Sequence, residues 1–268
     1  MGWAAFETLS VEQKDHGVVL LLLNRPYAAN ALNTAMGVEL SSFFEDLAEH
    51  PSKASCVVIT GTGSSAFCAG GDLKERNGMS DEAWLHQHRI FERAFRAILF
   101  CPVPIIGAVN GAAFGGGCEI VLACDWAYAS ESARFAQTET KLGIIPGGGA
   151  TQTLSRAVGV RRAKELILTG RTFSAAEAQA WGVISKVFSA EALLQEALDT
   201  AVTVAGNAPL AVRQAKLAIA RSPDLSLTDG LSFEIEAYNR TALSADRREG
   251  IAAFNEGRRP QWGVSVRE

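Results

Sequence analysis

The chain has 268 residues and a formal net charge of −4, with 48% hydrophobic and 20% charged residues. This composition is typical of a soluble globular protein, and the acidic balance gives no electrostatic reason to expect nucleic acid as a partner. The longest apolar runs, such as residues 18–23, are far too short to cross a membrane, so no membrane association is expected.

Strands and helices alternate in the first half of the chain. Apolar runs bounded by turn residues predict strands, and amphipathic segments predict helices. The predicted elements are strands 6–12 and 18–23, a helix over 34–49, a strand at 56–60, a glycine-rich loop over 61–71, a helix capped by Ser80 that reaches about residue 100, and a strand at 105–109.

Helices dominate the second half. A glycine-rich turn leads into a buried helix that carries Glu119, and short strands follow at 126–129 and 135–136. A capping box at Ser174 and a proline at position 209 each predict a helix start. After a last strand at 183–188, helical patterns run to about residue 255, which predicts an α/β core with a C-terminal helical region.

The strongest chemical signal is the segment that ends in Gly115, Gly116, Gly117, Cys118 and Glu119. Glycines between a strand and a helix let a ligand approach the unpaired N–H groups of the first helical turn. Gly116 and Glu119 share one helix face, so an amide that holds an oxyanion would lie near an acid or base. In the alternative reading, the glycines only make a tight turn and the glutamate faces solvent.

Two further features are weaker when taken alone. The loop around Gly71 follows another buried strand and offers a second N–H donor, with Lys74 as a positive charge for phosphate, although such loops often only turn the chain. Glu139 would be a surface acid paired with Lys141, or it would form a carboxylate pair with Glu119. Two close carboxylates interact strongly, so that one holds a proton while the other is ionised.

Several other functions are excluded by pattern. Residues 61–66 match G-x-G-x-x-A, but no helix follows them, and the chain has neither a phosphate loop nor a nucleophile elbow. His86 and His88 point to different sides of a helix, so a solvated face is predicted and a metal pair is not. The N-terminus resembles no targeting signal, and the five cysteines contain no CxxC pair, so we expect reduced thiols and a cytoplasmic protein.

The motifs AFCAGGDLKE (66–75), VNGAAFGGGCE (109–119) and ETKLGIIPGGG (139–149) closely resemble the enoyl-CoA hydratase/isomerase, or crotonase, superfamily. The resemblance runs almost end to end. It implies an α/β fold in which a spiral of ββα units forms two roughly perpendicular sheets. It also implies an active-site core over residues 1–195 and a C-terminal helical region over 196–268 that builds a homotrimer or a dimer of trimers.

By position, the resemblance implies that the N–H groups of Gly71 and Gly116 hold the thioester oxygen of an acyl-CoA substrate. The CoA thioester would be bound by those two glycines and by Asp72, Leu73 and Lys74. No metal or other cofactor is implied, because coenzyme A is part of the substrate.

Hydratases of this superfamily carry two glutamates, and Glu119 and Glu139 match both positions. The resemblance therefore implies syn addition of water to the 2,3 double bond of a short or branched trans-2-enoyl-CoA. In that account Glu119 deprotonates the water and Glu139 protonates C2. An isomerase or a dehydratase of the same superfamily is the alternative, and a noncatalytic CoA- or RNA-binding homologue has no reason to bury two carboxylates.

Details resemble the methylglutaconyl-CoA hydratase branch, including residues 72–76, 139–146 and 246–250. Some members of that branch bind RNA through a lysine-rich helix, but residues 34–49 contain no Lys or Arg, so RNA binding is not implied here. Thr153 and Gly257 stand where the family usually has an arginine and a lysine. These differences put CoA affinity and subunit contacts in question. Finally, the helix after Ser80 is predicted to shape the acyl pocket through Trp84, Phe91 and Phe95.

Overall fold

The computed structural model describes residues 3–263, and within them ten strands form two sheets. The strands are β1 (Leu9–Gln13), β2 (Val18–Leu23), β3 (Cys56–Gly61), β4 (Ala66–Cys68), β5 (Ile105–Val109), β6 (Ala112–Phe114), β7 (Trp126–Ser130), β8 (Arg134–Ala136), β9 (Phe173–Ser174) and β10 (Lys186–Phe188). The larger sheet has the order β1-β2-β3-β5-β7-β10, and the smaller has the order β4-β6-β8-β9.

The described residues also form eleven α-helices. These are α1 (Thr34–Glu49), α2 (Leu73–Arg76), α3 (Asp81–Leu99), α4 (Gly116–Ala123), α5 (Ala150–Val158), α6 (Val160–Thr169), α7 (Ala175–Ala180), α8 (Leu193–Ala205), α9 (Pro209–Arg221), α10 (Leu227–Ala242) and α11 (Ala245–Glu256). The side chains of Ser80 and Ser174 cap α3 and α7 as predicted, and Pro209 is the first residue of α9.

The larger sheet is covered on both faces, which explains its continuous apolar strands. Only the β1–β2 pair is antiparallel among the strand pairs of this sheet in residues 3–263. Successive side chains of β2 alternate between the faces: Val18 and Leu20 pack in a cluster with α8, whereas Val19 and Leu21 join the main core. The predicted boundary between residues 195 and 196 falls within α8.

Three strands of the smaller sheet were not predicted: β9, which has two residues, and β4 and β6, which lie in segments that the sequence analysis assigned to glycine-rich loops. β4 and β6 have three residues each, which is too short for a period-two pattern to appear. They pair in parallel with each other, and β6 pairs in parallel with β8. Three adjacent parallel strands therefore end at one edge of the smaller sheet.

Candidate active site

The carboxyl ends of β4, β6 and β8 bring the three predicted motifs together. Gly71 follows β4, Gly116 begins α4 directly after β6, and Glu139 follows β8 in a single 3-10 turn over residues 139–142. Because neighbouring parallel strands end at the same edge of a sheet, segments far apart in sequence meet there. The motif of Glu119 completes the group one turn into α4.

A cavity of about 550 Å³ opens at this edge. Its walls come from the two glycine loops, from α3 and from the loop after Glu139. The lining includes all four predicted central residues, namely Gly71, Gly116, Glu119 and Glu139, and also Leu73, Trp84, Phe91 and Phe95. The aromatic residues of α3 thus line this cavity, and their role in holding an acyl chain stays a prediction.

Close packing explains two of the glycines at the start of α4. Gly115 has φ +49°, and a Cβ there would lie 2.8 Å from Oε1 of Glu139. A Cβ on Gly117 would overlap the carbonyl oxygen of Cys68. A side chain at either position would push β4 or Glu139 away, so these glycines let the two loops approach each other.

The backbone N–H groups of Gly71 and Gly116 are available to a ligand. Leu32 forms backbone hydrogen bonds on both sides of Gly71: its N–H donates to the oxygen of Gly70, and its oxygen accepts from the N–H of Asp72. The N–H of Gly71 itself is not used in these bonds. Within residues 3–263 neither the Gly71 nor the Gly116 N–H donates to another backbone group. A Cβ on Gly116 would lie 3.9 Å from the Cα of Gly70, and a Cβ on Gly70 would lie 3.5 Å from the nitrogen of Gly116, so the two glycine loops are in close contact beside these donors.

Glu119 is buried, with 3% of its surface exposed. Its Oε1 accepts hydrogen bonds from the N–H groups of Gly148 (2.8 Å) and Ala150 (3.0 Å). Burial raises the pKa of Glu119 to about 7; the nearby charge of Glu139 adds to the rise, and the two amide donors oppose it. A carboxyl group with a pKa near neutral pH can exist in both the protonated and the ionised form, which is what general acid–base chemistry requires.

Glu139 is also buried, with 8% of its surface exposed, and its Oε2 has no hydrogen-bond partner within residues 3–263. Burial raises the pKa of Glu139, while the positive charge of Arg76 acts in the opposite direction. Arg76 thus favours the ionised form of Glu139. Among the interactions that shift the pKa of Glu119, none comes from a positively charged group that would lower it.

The raised pKa of Glu119 predicts a stability that depends on pH. A carboxyl with a pKa of 4.5 when unfolded and about 7 when folded destabilises the folded state increasingly as pH rises between those values. Glu119→Gln removes this cost and keeps the acceptor for the two amides. We expect the free energy of unfolding of the variant to exceed that of wild type at pH 8 by at most about 3 kcal/mol, so that its melting temperature is higher. Near pH 4.5 the two proteins should have the same stability. A melting-temperature difference that is the same at both pH values would contradict the shift.

The predicted CoA-binding residues after Gly71 have different environments. Asp72 is buried in an ion pair with Arg25 at 2.9 Å, and its Oδ1 caps α2 by accepting from the N–H groups of Lys74 and Glu75. Leu73 lines the cavity, while the side chain of Lys74 is exposed and outside the lining. A role in substrate binding stays a prediction for these three residues, and the Asp72 side chain is engaged within the protein.

Two polar residues of the cavity were missed. Arg76 lies with its guanidinium 4.2 Å from the ring centre of Trp84, and its Nε donates to Oε1 of Gln87 at 2.7 Å. His88 also lines the cavity, so the predicted solvated face is wrong for His88, although His86 is exposed. The spacing of His88 from Trp84, four residues along a helix, was the available signal.

No group of three or more His, Cys, Asp and Glu side chains in residues 3–263 is arranged to hold a metal ion. None of the helices in this part of the chain combines the length and the apolar character that crossing a membrane requires.

The chain is similar in sequence and in structure to known proteins. The family model for enoyl-CoA hydratase/isomerase matches residues 13–265. Bacillus subtilis YngF, which carries the same family description, is 43% identical over 92% of this chain and 94% of its own. The mitochondrial methylglutaconyl-CoA hydratase of Mus musculus is 40% identical over 94% of this chain and 81% of its own. A crystal structure of an enoyl-CoA hydratase from Bacillus anthracis superposes with a TM-score of 0.93 at 42% identity, covering 97% of this chain and 100% of that one.

These matches confirm the α/β fold with two sheets and C-terminal helices that the motifs predicted. They extend over nearly the whole chain, so the likeness is not limited to the glycine loops. The chain belongs to the enoyl-CoA hydratase/isomerase family.

Proposed function

We propose that the protein is an enoyl-CoA hydratase, which adds water to the 2,3 double bond of a trans-2-enoyl-CoA. The main support is that two buried glutamates, Glu119 and Glu139, line one cavity beside two backbone N–H groups that donate to no other backbone group of residues 3–263. An isomerase needs one proton-transfer group near the substrate, whereas addition of water needs a base for the water and an acid for carbon. The retention of both carboxylates therefore favours hydration.

In the proposed reaction the thioester oxygen accepts hydrogen bonds from Gly71 and Gly116. Water attacks C3 as Glu119 takes its proton, and the electron pair of the double bond moves to form an enolate. The two N–H groups stabilise that negative charge at the positive end of α4. Glu139 then delivers its proton to C2, so one proton leaves water and one reaches carbon.

The two carboxylates share a single proton in the active form. Stronger burial favours the proton on Glu119, and the charge of Arg76 favours ionised Glu139. That arrangement is ready for the reverse dehydration, in which Glu139 removes the C2 proton and Glu119 protonates the leaving hydroxyl. Hydration starts from the other placement of the same proton, so the pair serves both directions. The reaction uses no cofactor besides the CoA of the substrate.

A substrate with a carboxylate at the distal end of its acyl chain, such as methylglutaconyl-CoA, is the more specific candidate. Arg76 supports it, since its guanidinium lies between the rings of Trp84 and Phe91 in the cavity wall. Only its Nε is hydrogen bonded among residues 3–263, which leaves both terminal nitrogens for a bidentate carboxylate.

The test compares two thioesters that differ only at the chain end: trans-2-pentenoyl-CoA and glutaconyl-CoA, which carries a carboxylate in place of the methyl group. Loss of the enoyl-thioester ultraviolet absorbance is expected with wild type for both. Arg76→Met should lower the ratio of kcat/KM for glutaconyl-CoA over pentenoyl-CoA roughly tenfold to 10²-fold, the loss expected for a hydrogen-bonded charge. No turnover of either thioester would contradict the hydratase, and an unchanged ratio would contradict the role of Arg76.

We also propose that residues 196–268 form an oligomerisation region that builds a trimer or a dimer of trimers. Apolar side chains on its helices are exposed in the single chain, including Leu227 at 81% and Phe254 at 86%. A surface of this kind favours burial between subunits. A cytoplasmic location is also proposed, because the five cysteines are free thiols, as is usual in a reducing compartment.

A further inference from the structure

Helix α3 presents one stripe of side chains to the cavity. Trp84, His88, Phe91 and Phe95 are spaced four, three and four residues apart, so they lie on one side of the helix. Trp84, Phe91 and Phe95 have largely apolar rings. His88 is the member of this stripe with a ring that both donates and accepts hydrogen bonds.

His88 lies on the edge of the stripe opposite to Arg76. Gln87 and His88 are consecutive residues, so their side chains diverge by about 100° and flank the three aromatic rings. The Gln87 edge holds Arg76 through the bond to its Nε. On the other edge the imidazole packs against Gly147, where a Cβ would overlap the ring. The two nitrogen-rich side chains therefore border the cavity from two sides.

The imidazole of His88 makes no hydrogen bond within residues 3–263. The side chain is half-buried in the wall of a cavity that is also lined by Leu85, Phe91, Ile144 and Ile145, and its nitrogens are not among the fully buried polar atoms, so water can reach them. A ligand that displaces this water must replace its hydrogen bonds, because an uncompensated buried polar group is costly, so a ligand with an acceptor at this position is favoured over an apolar one.

The acyl chain has a defined direction along this stripe. Phe95 marks the reacting end, because it contacts Gly148, whose N–H holds Glu119. His88 precedes Phe95 by seven residues, which is roughly 10 Å along the helix axis. A substituent near His88 therefore lies farther from Glu119 than the reacting carbons do.

We propose that His88 is a specificity-determining residue that donates a hydrogen bond to an anionic substituent at the distal end of the acyl chain, opposite to Arg76. The inference rests on the proposed hydratase function, because it takes the reacting carbons to lie beside Glu119. It adds a second donor to the distal site. Substrates with a terminal carboxylate would then be held from both sides, and purely apolar chains would leave the imidazole without a partner.

His88→Leu tests the proposal with glutaconyl-CoA and trans-2-pentenoyl-CoA. We expect the ratio of their kcat/KM values to fall roughly tenfold or more, mainly through KM for glutaconyl-CoA, since a lost hydrogen bond to a charged group weakens binding. His88→Gln keeps an N–H donor at this position and should restore much of the ratio. His86→Leu is the matched control, because His86 is exposed on the same helix, and it should keep the wild-type ratio.

An equal loss on both thioesters would show that His88 only supports the cavity wall, and an unchanged ratio would show that it has no role in selection; either result overturns the proposal. Calorimetric binding of the saturated analogues glutaryl-CoA and pentanoyl-CoA separates this question from turnover. If wild type hydrates neither enoyl thioester, the hydratase function fails. The role of His88 is then supported only if wild type binds glutaryl-CoA more tightly than pentanoyl-CoA and His88→Leu abolishes this preference. Equal affinities of wild type for the two analogues would overturn it.

Discussion

Replacement of Glu119 by Gln is expected to lower kcat for hydration by roughly 10²- to 10⁴-fold, which is the range that positioned acid–base groups contribute. The glutamine has nearly the same size, and its Oε1 can still accept from Gly148 and Ala150. The variant should therefore fold with the same loop geometry. It cannot take a proton from water, so the loss is chemical and not structural.

Two measurements make this prediction specific. Affinity for a saturated acyl-CoA should stay close to that of wild type, because the carboxylate is not needed to hold the thioester oxygen. Glu131→Gln is the matched control, since Glu131 is exposed in the turn between β7 and β8 and should retain full activity. A Glu119→Gln enzyme with near-normal kcat would remove Glu119 from the proton-transfer steps.

Replacement of Gly116 by Pro should lower the rate of hydration by roughly 10²- to 10³-fold, the usual cost of losing one oxyanion donor. Gly116 is the first residue of α4, where proline is well tolerated because the helix has no acceptor for that N–H. A Cβ at position 116 would lie 2.7 Å from Cδ1 of Leu32, which is too close. Because this atom is the flexible end of a side chain, Leu32 can move to make room for the proline ring. The substitution removes a catalytic donor without removing a helical hydrogen bond.

Folding of the Gly116→Pro enzyme is checked by circular dichroism and by its melting temperature. Val160→Pro is the matched control, because Val160 is also the first residue of a helix, follows a glycine and is exposed. That variant should keep wild-type turnover. If Gly116→Pro is folded and hydrates enoyl-CoA at the wild-type rate, the thioester oxygen is not held at the start of α4.

Much of the chemistry could be predicted from local sequence. Glu119 lies one turn after the glycines on the same short helix, so its relation to Gly116 follows from helix geometry alone. Glu139 was a different case, since spacing by itself favoured a surface acid paired with Lys141. Only the parallel pairing of β6 with β8 carries Glu139 to the cavity, and three-residue strands leave no readable period.

The residues that line the distal cavity could be assigned only in part. The spacing of His88 from Trp84 puts both on one helix face, but whether that face borders a cavity depends on how α3 packs against the loop over residues 143–148. No comparable spacing was available for Arg76. Asp72 is a different case. Its partner Arg25 lies 47 residues earlier, so no local pattern indicates that the carboxylate is engaged within the protein.

The proposed reacting groups lie on separate strands, because Gly71, Gly116 and Glu139 each follow a different strand of the smaller sheet. The sheet fixes where each loop begins, while the side chains beyond the strand ends take no part in its hydrogen bonds. A substitution that keeps the size of Glu139, such as Glu139→Gln, is therefore expected to alter the proposed proton transfer and to leave the two backbone donors in place. A frame of this kind allows the chemistry of one loop to change while the other two loops are kept.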